Sequence, residues 1–234
     1  MNDLPSVIAI DGPAASGKTT IGQLLAERLD YLLLDTGSMY RAVTLAALQQ
    51  NVDVADETAV THLAQSITID IKPAAGEKDG RLSTTLLNGE DVTWALRDPE
   101  VDANVSQVAS YAPVRQEMVK QQQEFGRRGH VIMVGRDIGT VVVPDAPLKL
   151  YITASAEERA RRRWQERQKQ GHNGSYESIL ADVRRRDEID SNRQHSPLRP
   201  ADDAQIIDTT NRTPEQIVAG IIQAAKQQSD AVAR

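Results

Sequence analysis

The sequence predicts an α/β fold: a parallel five-stranded sheet flanked by helices, with a small inserted antiparallel lobe and a helical, arginine-rich lid. Three observations predict it. Short apolar runs recur at 7–10, 31–35, 130–134, 148–152 and 205–208, and helical patterns follow most of them. Residues 12–19 fit G-x-x-x-x-G-K-[ST], directly between the first run and the first helical pattern. Residues 66–97 change to strand alternation, and residues 155–193 concentrate arginine.

The first strand is apolar on both faces and ends at Asp11. The motif after it is the phosphate-binding P-loop, which makes the sheet one of the P-loop NTPase type. Gly12 and Gly17 permit a tight turn and let backbone N–H groups approach phosphate oxygens. Lys18 is a point charge for β- and γ-phosphates, and the Thr19 hydroxyl can ligate Mg²⁺. The next helix carries Ile21, Leu24, Leu25 and Leu29 on one face and turns its positive end to the anion. Gly12, Pro13, Ala14, Ala15, Ser16, Gly17, Lys18, Thr19 and Thr20 are the expected cradle for a nucleoside triphosphate.

Composition narrows the function. Net charge is -6, so no global field favours nucleic acid, and the dense arginines need a local explanation. There is no cysteine, which excludes disulfides, thiolate metal sites and a cysteine nucleophile. No apolar run approaches transmembrane length, and the chain enters a strand within a few residues, leaving no room for a signal peptide. A cytoplasmic protein without membrane or nucleic-acid partners is the expectation.

The second strand, 31–35, precedes a helical pattern from Ser38 to Gln50. Active residues in parallel sheets sit at the carboxyl ends of strands, which puts Asp35, Thr36, Tyr40 and Arg41 at that edge. Arg41 reads equally well as a site residue or a solvated helix charge. In the lobe, Ile67, Ile69 and Ile71 alternate with Thr68 and Asp70, and Asn88-Gly89 is a hairpin turn. The lobe is either a clamp over a second substrate or a decorative insertion. Asp98-Pro99-Glu100 opens a helix to about Ser110, and a further helix runs from near Pro113 to Phe125. Ser106 and Arg115 lie on this pair, and nothing local marks either as functional.

The third strand leads into G-R-D-I-G-T at 135–140. Two glycines around Arg136 and Asp137 suggest a loop holding opposite charges near the site; a structural Arg136–Asp137 ion pair is the alternative. The lid opens on a capping box, Ser155 to Glu158. Its first helix carries Arg159, Arg161, Arg162, Arg163 and Arg167, with Trp164 its only large apolar residue, so it has little to dock on a core. Gly171 and Gly174 bracket His172 and Asn173 in a flexible turn. The second lid helix runs from Ser175 to about Arg193, and Arg186, Asp190 and Arg193 share one face. Charges this dense repel, so two nucleotides' phosphates are the expected counter-ions. A solvated face balanced by Glu157, Glu158, Asp187 and Glu188 is the alternative. After the fifth strand, Thr213 to Gln216 is a second capping box, opening a helix that buries Ile217, Val218, Ile221 and Ile222. The division expected is one domain with a core at 5–65, 98–154 and 204–229, a lobe at about 66–97 and a lid at about 155–193.

A GTPase switch is disfavoured, because N-K-x-D is missing and no D-x-x-G follows a strand. The sequence resembles bacterial cytidylate kinases along nearly its whole length, within the nucleoside monophosphate kinases. The resemblance is carried by I-D-G-P-A-A-S-G-K-T-T (10–20), L-L-D-T-G-S-M-Y-R (33–41), N-G-E-D-V (88–92), S-Q-V-A (106–109), G-R-D-I-G-T-V-V (135–142), P-D-A-P (144–147), S-A-E-E-R-A-R-R-R (155–163) and R-R-D-E-I-D-S-N-R (185–193). It implies transfer of the γ-phosphoryl group of ATP to CMP or dCMP, with Mg²⁺, and makes the 12–20 cradle the ATP site; a monomer is the separate expectation. It implies that Ser106, Arg115 and Asp137 contact cytosine, and that Thr36, Arg41, Arg136 and Arg186 surround the acceptor phosphate. Asp190 would accept from ribose hydroxyls with Arg193 beside it, and Arg159 and Arg163 would reach the transferring phosphate alongside Lys18. The lobe becomes the monophosphate-binding region. A kinase for UMP or AMP, and a nucleotide-gated binding protein, are the competing functions.

Overall fold

Every strand of the main sheet runs the same way. In this computed structural model, which describes residues 5–74, 76–169, 171 and 174–232, the sheet order is β2-β6-β1-β7-β8. The strands are β1 (Val7–Asp11), β2 (Leu32–Asp35), β6 (Val131–Val134), β7 (Leu148–Thr153) and β8 (Gln205–Asp208), all parallel. Helices α1 (Lys18–Leu29) and α8 (Pro214–Val232) cover one face. The other is covered by α2 (Thr36–Gln49), α3 (Glu57–Ser66), α4 (Pro99–Val108) and α5 (Ala112–Arg128). Alternation along the strands serves both layers. Ala9, Leu34 and Met133 pack toward α2–α5, while Ile8, Ile10, Leu33 and Ile132 pack toward α1 and α8.

The lobe is a three-stranded antiparallel sheet, β3 (Ile69–Pro73), β4 (Ser83–Leu87) and β5 (Glu90–Asp91). Asn88 and Gly89 join the last two with φ of 51° and 88°, the left-handed pair that a tight hairpin requires. The lid consists of α6 (Ala156–Lys169) and α7 (Tyr176–Asn192). At the second capping box the bonds are reciprocal: Thr213 N–H donates to Gln216 Oε1 at 3.2 Å, and Gln216 N–H to Thr213 Oγ1 at 3.3 Å. Among the described residues no helix is long and apolar enough to cross a membrane.

The structure differs from the sequence reading in four places. Helix α3 was not expected; Asp56 caps it by accepting from Ala59 N–H at 3.0 Å. Its end absorbs Ile67, so β3 begins only at Ile69. The segment after β6 is not all loop, since Ile138–Val142 forms one π-helical turn. Helix α6 does dock, through Arg159 and a small cluster in which Ala160, Ile179 and Val183 are buried against Trp164 and Leu180. The turn expected at His172 and Asn173 lies outside the described residues.

Candidate active site

The carboxyl ends of the five strands gather the site at one edge of the sheet. Gly12 follows β1 with φ 146°, and a Cβ there would lie 2.0 Å from the Ile152 carbonyl oxygen. No other residue fits so close to the β7 backbone. Lys18 is buried, and its Nζ donates to the Pro13 carbonyl at 2.6 Å. Burial, and then Arg136 nearby, push its ammonium well below the usual lysine range. A buried cation with one neutral partner is a place prepared for an anion. The Thr19 hydroxyl donates to Asp35 Oδ2 at 3.1 Å, while Asp35 Oδ1 caps α2 by accepting from Gly37 N–H at 3.0 Å. Hydroxyl and carboxylate are the hard oxygen donors that suit Mg²⁺ sharing its sphere with phosphate and water. Ser16 Oγ is fully buried without a partner among the described residues, and Thr20 is exposed on α1.

Asp11 sets the loop beyond β6. Its carboxylate accepts from Ile138 N–H at 2.7 Å and Gly139 N–H at 2.8 Å, which seats the π-helical turn. Burial outweighs these two bonds and lifts its pKa to about 6. A pKa raised above its unfolded value of 3.8 means that the native state binds the proton more tightly. The stability this group adds is complete below about pH 4 and lost as pH rises through 6. Urea melts of wild type and Asp11→Asn should therefore shift relative to each other by about 2 kcal/mol in favour of the variant between pH 4 and pH 7.

Just before that turn, Arg136 and Asp137 do not pair with each other. Arg136 Nε donates to Asp190 Oδ2 of α7 at 2.7 Å, and Arg193 Nη1 lies 3.8 Å from Asp190 Oδ1. Burial opposes the charge on Asp190, but Arg136, with Arg193 and Arg186, holds the carboxyl below its ordinary range. Asp137 instead accepts from Arg115 Nη2 of α5, both side chains being buried. Arg115 Nη1 also donates to the Ala109 carbonyl at 3.1 Å, and the guanidinium sits 5.3 Å over the Tyr40 ring. Burial pushes the Tyr40 hydroxyl up to about 12, so the ring faces Arg115 as a neutral phenol.

The lid closes over the P-loop. Arg159, itself buried, donates from Nη1 to the Ala14 carbonyl at 3.1 Å and forms a bidentate pair with Asp187 at 2.9 and 2.5 Å. Arg162 donates from Nη2 to the Thr209 carbonyl at 2.8 Å and from Nη1 to the Thr209 hydroxyl at 2.9 Å. Arg41, Arg163, Arg167 and Arg186 converge on a single carboxylate, Asp102 of α4.

The structure thus brings together the residues expected around the P-loop and, through Arg136–Asp190, links them to Arg193. Arg115 and Asp137 meet; Ser106 lies half-buried on α4, three residues before Ala109, whose carbonyl Arg115 uses. Thr36 is buried, and its hydroxyl donates to the Val134 carbonyl at 2.9 Å, so it ties α2 to β6. Sequence reasoning missed Asp102, Arg162 with Thr209, and the capping role of Asp11. Asp102 reads from sequence as one more acid in a helix's first turn.

Comparison with known proteins follows the same line. The family model described as cytidylate kinase matches residues 8–227. The chain is 46% identical over 222 residues to the cytidylate kinase of Bacillus velezensis, covering 95% of this chain and 97% of that one. It is 50% identical over 220 residues to the cytidylate kinase of Chloroflexus aggregans, covering 94% and 93%. Among solved structures, a gluconokinase from Sinorhizobium meliloti has a similar fold, with a TM-score of 0.50 at 12% identity and coverage of 98% and 97%. The breadth and level of these matches, on a P-loop sheet, show that the chain belongs to the cytidylate kinase family.

Proposed function

We propose that this chain transfers the γ-phosphoryl group of ATP to the phosphate of CMP or dCMP, giving the diphosphates. The observation that carries this reading is the family match over residues 8–227. The charge pattern supports it. Phosphoryl transfer needs positioning, neutralisation of charge and exclusion of water rather than covalent chemistry. The 12–20 cradle holds ATP, with backbone N–H groups and Lys18 on its phosphates. Thr19 and Asp35 would hold Mg²⁺, which neutralises phosphate charge when bound. Arg41, Arg136 and Arg186 take the acceptor phosphate, with Thr36 at the edge of that site. Arg159 and Arg163 reach the group in flight.

The base is read by Ser106, Arg115 and Asp137. A carboxylate accepts from the exocyclic amine of cytosine, where uracil offers an acceptor instead. Asp190 accepts from the ribose hydroxyls beside Arg193. An initial-rate panel of monophosphates with ATP and Mg²⁺ checks the assignment. CMP and dCMP should turn over at least about tenfold faster than UMP or AMP at equal concentration, as loss of a paired hydrogen bond at a polar pocket implies. Equal turnover of AMP would remove the cytidine reading, and no multiple-turnover transfer to any monophosphate would indicate a nucleotide-gated binding protein.

A further inference from the structure

Asp102 holds more positive charge than one carboxylate can neutralise. Arg41 Nη2 lies 2.7 Å from its Oδ1 and Arg163 Nη2 3.0 Å from its Oδ2, with Nη2 of Arg167 and of Arg186 each 3.6 Å away. The arginines come from α2, α6 and α7, and the carboxylate from α4. Among the described residues, Asp102 is the one ion-pair partner of Arg163, of Arg167 and of Arg186. Guanidiniums gathered this closely repel, and nothing else among the described side chains draws both lid helices toward α4 by charge. Burial disfavours a charge on Asp102, yet Arg41, with Arg163 and Arg186, holds its carboxyl below the ordinary range.

A carboxylate and a phosphate are interchangeable partners for a guanidinium fork. Three of these four arginines are the ones assigned above to the acceptor and transferring phosphates. We propose that Asp102 is an internal stand-in for the acceptor's phosphate: it straps α6 and α7 to α4 in the nucleotide-free protein and yields its arginines when the monophosphate enters. The proposal rests on the acceptor-site reading. Its sign follows from linkage. Contacts made only before binding oppose binding, so removing them favours the complex.

Asp102→Asn keeps the size of the side chain and removes its charge. Calorimetric titration with CMP should show the variant binding about two- to fivefold tighter than wild type, the factor for contacts of this exposure. Without nucleotide, the amides of α6 and α7 should exchange faster in the variant; with CMP bound, the two proteins should match. Asp102→Ser, which cannot reproduce an amide's bonds, should move both readouts the same way. Unchanged or weaker CMP binding in both variants overturns the proposal and makes Asp102 a support of the bound state. Unchanged exchange in the nucleotide-free proteins overturns the strap. The exchange comparison uses no nucleotide, so a wild-type chain that failed to bind CMP would remove the acceptor reading while the strap was still judged.

Discussion

Replacing Lys18 with alanine should lower the turnover number with saturating ATP and CMP by about 10²–10³-fold, the usual effect of removing one charge-stabilising donor from a transition state. The same change should leave the fold intact. Lys18 is a buried ammonium whose one hydrogen bond among the described residues goes to a carbonyl, and burial and Arg136 both work against its charge. Such a group costs stability until an anion arrives. Lys18→Met, which keeps the volume and drops the charge, should therefore melt at or above the wild-type temperature while losing the same rate. Steady-state kinetics and thermal melts on the three proteins check both halves. Wild-type turnover in either variant would take Lys18 out of the phosphate site, and a large fall in melting temperature for Lys18→Met would show that its role is structural.

That separation of function from stability explains which parts of the molecule were legible in the sequence. Strands β1, β6 and β7 were, because their apolar runs are bounded by polar loops and buried on two faces. The P-loop was, because its signal is local: glycine where the backbone must approach β7, lysine and threonine at fixed offsets. The Asn88-Gly89 turn was legible for the same reason. Helix α3 was not, although Val60, Leu63, Ala64 and Ile67 stand at helical spacing behind the Asp56 cap, because Ile67, Ile69 and Ile71 also alternate like a strand. Ile67 looked like strand alternation but ends that helix, because alternation over a few residues does not distinguish a strand from a helix end.

The site was legible only where chemistry is adjacent in the chain. Arg136 and Asp137 were visible as neighbours, but their partners lie 54 and 22 residues away, on α7 and α5. Ion pairing across the fold leaves no local trace, so the sequence could pose the choice between a site and a pair of neighbours without supplying the partners. Asp102 is the extreme case: arginines as far apart as Arg41 and Arg186 share it, and only the folded topology brings α2, α4, α6 and α7 to one point. The apolar content of α6 gave it little to dock on a core, yet Arg159 docks it by bonding to the Ala14 and Ala154 carbonyls and to Asp187. This polar docking ties α6 to the P-loop through the Ala14 carbonyl.

Asp137→Asn should lower kcat/KM for CMP by about 10²–10³-fold while changing the KM for ATP by no more than about threefold. The asymmetry follows from where Asp137 sits. It is buried, paired with Arg115 against Tyr40, and its loop is seated by Asp11 rather than by any P-loop backbone group. An amide in its place can donate as well as accept, so it no longer selects the amine of cytosine over the carbonyl of uracil, and the ratio of UMP to CMP turnover should rise. Stability must be measured beside the kinetics, since leaving Arg115 uncompensated in a buried setting costs about 3–5 kcal/mol. The two effects can be separated by adding Arg115→Met. Removing the stranded cation should recover most of the lost stability in urea melts, because a buried ion pair and a well-packed apolar substitute are often close in energy. It should not recover CMP use, because neither replacement restores a charged group that only accepts. A double variant that regained both would make the pair a structural clasp and move cytosine recognition elsewhere. A variant that lost ATP affinity more than CMP use would place Asp137 on the donor side.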